Sequence, residues 1–151
     1  MAAGAWTVYS NAALEMTQAV FNLATDTYFM ILATNSYVPA PDADFQYSNV
    51  STNEVATGGG YTVGGVKLTS QTDTRATSTV TFTAANVTWA SFTATFRYGV
   101  IVRSANGTGL AAADKLLCYS DLGGGSSITG GGGTLIIQPN TSGIFTVTHN
   151  P

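Results

Sequence analysis

From Ser91 to Arg103 the chain reads S-F-T-A-T-F-R-Y-G-V-I-V-R, and Phe92, Ala94, Phe96, Tyr98, Val100 and Val102 fall on one parity. Thr, Ser and Arg hold most of the other. Successive side chains of a strand point to opposite faces, so this alternation predicts one long strand of an antiparallel sheet, packed on one side and wet on the other. Shorter runs repeat the theme. Thr27 to Thr34 is dense in β-formers and reads as a central strand. Tyr61 to Ser70, with Gly64-Gly65 marking a bulge, and Thr77 to Ala84, where Val80, Phe82 and Ala84 alternate with threonines, read as further strands. Val87 to Ala90, Lys115 to Asp121, Thr134 to Gln138 and Ile144 to Thr148 complete about eight. Turn signals separate them, the strongest being S-A-N-G-T-G at Ser104 to Gly109.

Short strands punctuated this regularly predict a mainly β protein, an antiparallel β-sandwich of jelly-roll type, rather than parallel βαβ units. One helix is expected, near the N-terminus. Ala13, Met16, Val20 and Leu23 recur at three- and four-residue spacing within Ala12 to Leu23, with Ser10 or Asn11 as cap and Glu15 in the first turn. Val38 to Gly60, carrying Pro39, Pro41 and a closing G-G-G, reads as a long excursion from the sheet. Gly123 to Gly133 reads as a flexible loop tip. It is not a phosphate cradle, since Thr134 opens a strand where a P-loop needs Gly-Lys-Ser/Thr and a helix. The 151 residues make one domain, 1–151.

Composition narrows the function. Charged residues make up 9% of the chain against 44% hydrophobic, so hydroxyl and amide groups must carry its solubility and part of its surface is expected to be covered in a homo-oligomer or larger assembly. With Lys67, Arg75, Arg97, Arg103 and Lys115 as its cations and a net charge of −3, it has no basic stripe for nucleic acid. No apolar run approaches the roughly 18–20 residues that span a bilayer, and the opening M-A-A-G-A-W-T-V-Y-S lacks a signal peptide's basic and apolar regions. Cytoplasmic synthesis without export is expected, and the sequons at Asn49, Asn86, Asn106 and Asn140 are accordingly discounted as glycosylation sites.

The inventory for catalysis is thin. His149 stands close to the end, where chains fray, and Cys118, in L-L-C-Y, reads as a small buried hydrophobe. One histidine and one cysteine leave a transition-metal site short of ligands. The carboxylates fall mostly in turns and caps, whereas a jelly-roll glycosidase needs two facing each other on rigid strands. Asp42 and Asp44 in P-D-A-D lack the fuller pattern of a calcium loop. No enzyme activity and no cofactor are therefore expected. Tyr37, Tyr47 and Tyr61, in or beside the excursion, are the candidate partner-contact residues, able to stack on a sugar or anchor a protein if exposed; burial in the packing is the alternative.

The run Y-S-N-V-S-T-N-E-V-A-T-G-G-G-Y-T-V-G-G-V-K-L, Tyr47 to Leu68, resembles a signature of small structural proteins of tailed bacteriophages. There it follows a strand like Thr25 to Leu32 and a loop with a proline like Pro39. It precedes segments like Val87 to Trp89 and Arg97 to Ile101, with a late strand like Gly143 to Thr148. The resemblance spans roughly residues 20 to 148 and implies a virion protein, assembled in the host cytoplasm. Within the motif Asn53, Glu54, Gly58, Tyr61 and Gly64 read as residues that specify the fold. The expected role is capsid decoration or cement, with the major capsid protein or other virion proteins as partners. The alternative is a tail- or fibre-associated module that binds a host glycan or another tail protein.

Overall fold

The computed structural model describes residues 1, 3–139 and 143–148. His149 and Asn140 lie outside the described residues. The protein is mainly β, with antiparallel pairing throughout its ladders. In chain order the elements are β1 (Thr7–Val8), α1 (Ser10–Thr17), β2 (Thr27–Ala33), β3 (Val66–Lys67), β4 (Thr72–Ala76), β5 (Thr79–Thr83), β6 (Val87–Trp89), β7 (Thr95–Phe96), β8 (Tyr98–Ser104), β9 (Lys115–Asp121), β10 (Ile128–Thr129), β11 (Leu135–Ile137) and β12 (Phe145–Thr148). A five-stranded sheet runs β1-β9-β8-β2-β3, a three-stranded sheet runs β12-β5-β4, and β10-β7 and β11-β6 form two-stranded ladders.

The centre of the molecule is β8, paired to β2 from Thr27↔Ser104 to Ala33↔Tyr98 and to β9 on its other side with a register shift between Ile101 and Val102. The alternating stretch that suggested one strand from Ser91 to Arg103 is broken. Ser91 takes a left-handed φ of 51°, and Phe92 to Phe96 turns aside to pair with the glycine-rich segment before β8 begins. Nor is β8 wet on one side, because Val100, Ile101 and Val102 are all fully buried. Strand parity explains why. The face bearing Tyr98 and Val100 lies beneath Tyr37, edge-on to Tyr98 at 5.8 Å between ring centroids, and Tyr9, which meets Tyr119 of β9 at 5.3 Å. The face bearing Ile101 carries Tyr28 of β2, which meets Phe82 of the three-stranded sheet at 5.7 Å. Phe82 in turn packs on Phe145, and the buried apolar residues join in one continuous core.

The helix is shorter than its periodicity suggested. It ends at Thr17 because Ala19 turns left-handed with φ 57°, and Val20 N–H reaches back to Glu15 C=O while Ala19 N–H reaches Met16 C=O. That pair of bonds closes a Schellman motif, with alanine in the place glycine usually takes. Its cap position is Tyr9 and no side chain caps it; Ser10 Oγ donates instead to Asp42. Glu15 falls toward the C-terminal half, where its carboxylate pairs with Lys115 at 3.1 Å.

Three other expectations change. The strand read at Thr77 to Ala84 is half of a hairpin whose turn holds Thr77 at φ 53°, and its partner β4 is exposed along its whole length. The strand read at Tyr61 to Ser70 shrinks to Val66–Lys67, because Gly64 and Gly65 form a turn, not a bulge. The segment from Gly123 to Gly133 is not a free loop tip. Ile128 and Thr129 pair with β7, Gly130 N–H donates to Ala94 C=O (3.0 Å) and Gly132 N–H to Phe92 C=O (2.9 Å). A Cβ at Gly130 would stand 2.3 Å from the Phe92 carbonyl oxygen, so this close approach needs glycine.

Candidate functional site

The stretch from Tyr47 to Leu68 closes around one carboxylate. Two 3₁₀ turns, Tyr47–Asn49 and Ser51–Asn53, bring the chain to Glu54, which bridges to Ala33 at the end of β2. Asn49 Oδ1 fixes the first turn by accepting from Phe45 N–H (3.2 Å) and Gln46 N–H (2.9 Å). On either side of Glu54, Thr34 N–H donates to Asn53 C=O and Val55 N–H to Leu32 C=O, both at 2.9 Å, so the segment continues the sheet's hydrogen bonding past β3.

Glu54 itself points inward and is 8% exposed. Its Oε1 accepts from the Tyr61 hydroxyl (2.6 Å) and from Gly64 N–H (2.7 Å), and its Oε2 accepts from the Tyr47 hydroxyl. Tyr61 passes the connection on, its phenol oxygen accepting from Leu32 N–H of β2 at 3.0 Å. The glycines make the geometry reachable. Gly58, Gly59 and Gly60 all have positive φ, and Gly58 and Tyr61 exchange two main-chain bonds across that turn. Gly65, at φ 67°, lies so close to β2 that a Cβ would stand 2.0 Å from the Met30 carbonyl oxygen. A buried carboxylate without partners would be very costly; three donors hold this one in place.

A second network joins the helix to the excursion. The Tyr37 hydroxyl donates to Asp44 (2.8 Å), and because that uses its single proton, Tyr9 donates to Tyr37 across 2.6 Å. Asp44 also accepts from Ala40 N–H at 3.0 Å. Elsewhere Asp114 is buried and ties Ala105 N–H and Ala111 N–H across the turn after β8. Arg97 grips Asp121 through Nε and Nη2, which holds the Asp121 carboxyl below the usual carboxylate range, and Arg103 pairs with Asp26 at 2.5 Å.

These bonds decide where the candidate residues stand. Tyr37 and Tyr61 are each 2% exposed and Tyr47 is 8% exposed. Their role as partner contacts is corrected: the rings are packed and the hydroxyls are engaged inside, so they offer no stacking platform at the surface. Burial pushes all three phenols up, and the nearby Glu54 charge pushes Tyr47 and Tyr61 further; Tyr9 and Tyr28 are raised by burial as well. Cys118 is buried, as its apolar setting suggested, and burial raises its thiol.

The exposed strand surface lies elsewhere. In the three-stranded sheet, register places Thr72, Thr74, Thr79, Thr81, Thr83, Thr146 and Thr148 together on one face, with Ala76. Asp73, Arg75, Val80, Phe82, Phe145 and Val147 share the other. Phe82 and Phe145 sink into the core, whereas Arg75 and Val147 extend past it into solvent. No sequence signal marked β4, because T-D-T-R-A has no buried side. Compared with protein-family models, curated proteins and solved structures, the chain matches none.

The clamp makes a direct demand on stability. Glu54→Ala strands two buried phenols and a main-chain amide, and denaturant unfolding should show a loss of about 3 kcal/mol or more, with Glu54→Gln losing less because it keeps one acceptor. The tyrosines make a second demand. Phenols whose ionisation is raised by folding contribute stability in full below the unfolded value of about 10 and lose it as pH rises beyond that. Each adds a slope of about 1.4 kcal/mol per pH unit, so alkaline unfolding should be steep, and phenolate absorbance from the buried rings should appear together with loss of fold.

Proposed function

We propose that this chain is a structural component of a tailed-bacteriophage virion, a capsid decoration protein that cements neighbouring shell subunits. Its β-rich body is read as a sandwich of jelly-roll type, with the three-stranded sheet laid against the five-stranded one through Tyr28 and Phe82. The observation that carries the reading is the division of labour between inside and outside. The stretch from Tyr47 to Leu68, which resembles a signature of phage structural proteins, is spent on the internal Glu54 clamp, while the exterior offers a threonine-lined sheet ending in the exposed strand β4.

Such a surface supports assembly by main-chain pairing and hydroxyl contacts. Edge strands present unpaired N–H and C=O groups to other chains, and many weak identical contacts around a shell sum by multivalency. Three of the five cations are committed to ion pairs within the fold: Arg97, Arg103 and Lys115. Long-range charge attraction therefore contributes little, which suits permanent assembly better than steering of a diffusing ligand.

Quantitative mass spectrometry of purified virions, with the major capsid protein as reference, tests the proposal. A copy number comparable to the capsid subunit is the expected result. A value of a few to a few dozen per particle would move the protein to the tail or fibres, and absence from virions would refute the structural role.

A further inference from the structure

The edge of the three-stranded sheet carries more information than its exposure. Strand β4 has Asp73 and Arg75 flanking Thr74, all exposed, and among the described residues neither charged side chain makes an ion pair and no strand pairs with its outer side. We propose that β4 pairs antiparallel with β4 of a second copy about a two-fold axis through Thr74, making one continuous six-stranded sheet. Three observations converge on that register.

The first is charge. With Thr74 opposite its own mate, Asp73 of each protomer stands directly across from Arg75 of the other, so the sequence D-T-R is complementary to itself in the antiparallel direction. A shift by two residues loses this double match. Cross-strand neighbours share a face, so both ion pairs form on the same side of the joined sheet.

The second is the direction of the main-chain groups. Ile144 N–H donates to Phe82 C=O at 2.7 Å, so the polar groups of Phe82 face β12 rather than β4. Residues of an antiparallel ladder alternate between bonding one neighbour and the other. Asp73, opposite Phe82, and Arg75, opposite Val80, therefore turn their N–H and C=O outward, while Thr72, Thr74 and Ala76 bond to β5. In the proposed register Asp73 and Arg75 become the hydrogen-bonded pairs, and the same residues supply both main-chain bonds and ion pairs.

The third is the continuity of the threonine face. Thr146, Thr81 and Thr74 lie in one row across the sheet. The two-fold axis extends that row through the mate's Thr74, Thr81 and Thr146. A charged edge ordinarily discourages pairing, since an approaching strand meets like charge or a stranded ion. Here the two opposite charges, one residue either side of the axis, select a second copy of this chain in this register.

The pairing gives a geometry to the homo-oligomer expected from the low charge, rests on β4 alone and stands wherever the protein acts. A chain that fails to pair could still coat a capsid, so virion copy number and this test fail separately. Sedimentation equilibrium of the full chain should show a reversible dimer that weakens as salt rises. Arg75→Asp and Asp73→Arg should each weaken dimerisation by roughly tenfold or more, because two attractive pairs become two repulsive ones. The double exchange D73R/R75D should restore it, since the swapped edge is again self-complementary. Amide exchange provides a readout free of any variant: the Asp73 and Arg75 amides should gain protection with protein concentration, while Thr72 and Thr74 stay protected throughout. A monomeric wild type, a dimer indifferent to Arg75→Asp, or a dimer with unprotected Asp73 and Arg75 amides would each overturn the proposal.

Discussion

The Glu54 carboxylate is the constraint on which the remainder depends. Between β2 and β3 the chain leaves the sheet for more than thirty residues, a length that ordinarily belongs to mobile or disordered connections. Main-chain bonds at Asn53 and Val55 return it to β2, and one acceptor group with three donors closes it, from Tyr47 before Glu54 and from Tyr61 and Gly64 after it. Because Tyr61 also receives Leu32 N–H, the excursion is fastened to β2 at the level of an individual main-chain bond. The rings that deliver these hydroxyls are themselves core: Tyr61 stacks on Trp89 at 6.1 Å, joining the clamp to the β11-β6 ladder.

The same economy runs through the fold. With few charges available, long-range order comes from tyrosines that are apolar across the ring and polar at the tip. Tyr9 and Tyr37 join helix to excursion through Asp44, and Tyr28 joins the five-stranded sheet to the three-stranded one through Phe82. Covered this way on both faces, β8 has no wet side. At the periphery, β4 and the threonine rows extend past the core into solvent.

Period-two patterning made the strand-rich class legible, and β9 was found at Lys115 to Asp121 with its full extent. Patterning failed where the physics was not periodic. The alternation from Ser91 to Arg103 is real in burial up to Phe96, yet a left-handed Ser91 and the approach of Gly130 divide it into segments with different partners, which parity along one chain cannot reveal. Strand β4 was invisible because an exposed edge has nothing to alternate. The clamp was partly legible: Asn53, Glu54, Gly58, Tyr61 and Gly64 stood out as residues specifying the fold, and Glu54 bonds Tyr61 and Gly64 while Asn53 precedes it and Gly58 closes the turn onto Tyr61. Of the two readings open for Tyr47 and Tyr61, surface contact and burial in the packing, the structure shows burial. A glutamate between two tyrosines, each seven residues away, was the signal that their hydroxyls turn inward to a shared acceptor.

The most direct test of the clamp is native-state hydrogen exchange at the Gly64 amide. That amide sits in a glycine turn outside every strand, where exchange is ordinarily fast. If the Glu54 carboxylate fastens the excursion to the sheet, Gly64 exchanges as slowly as Ile31, which β2 sets against Val100 of β8, and both open in the same global unfolding event. Fast exchange at Gly64 beside a protected Ile31 would show that the excursion opens on its own and that the carboxylate does not hold the fold together.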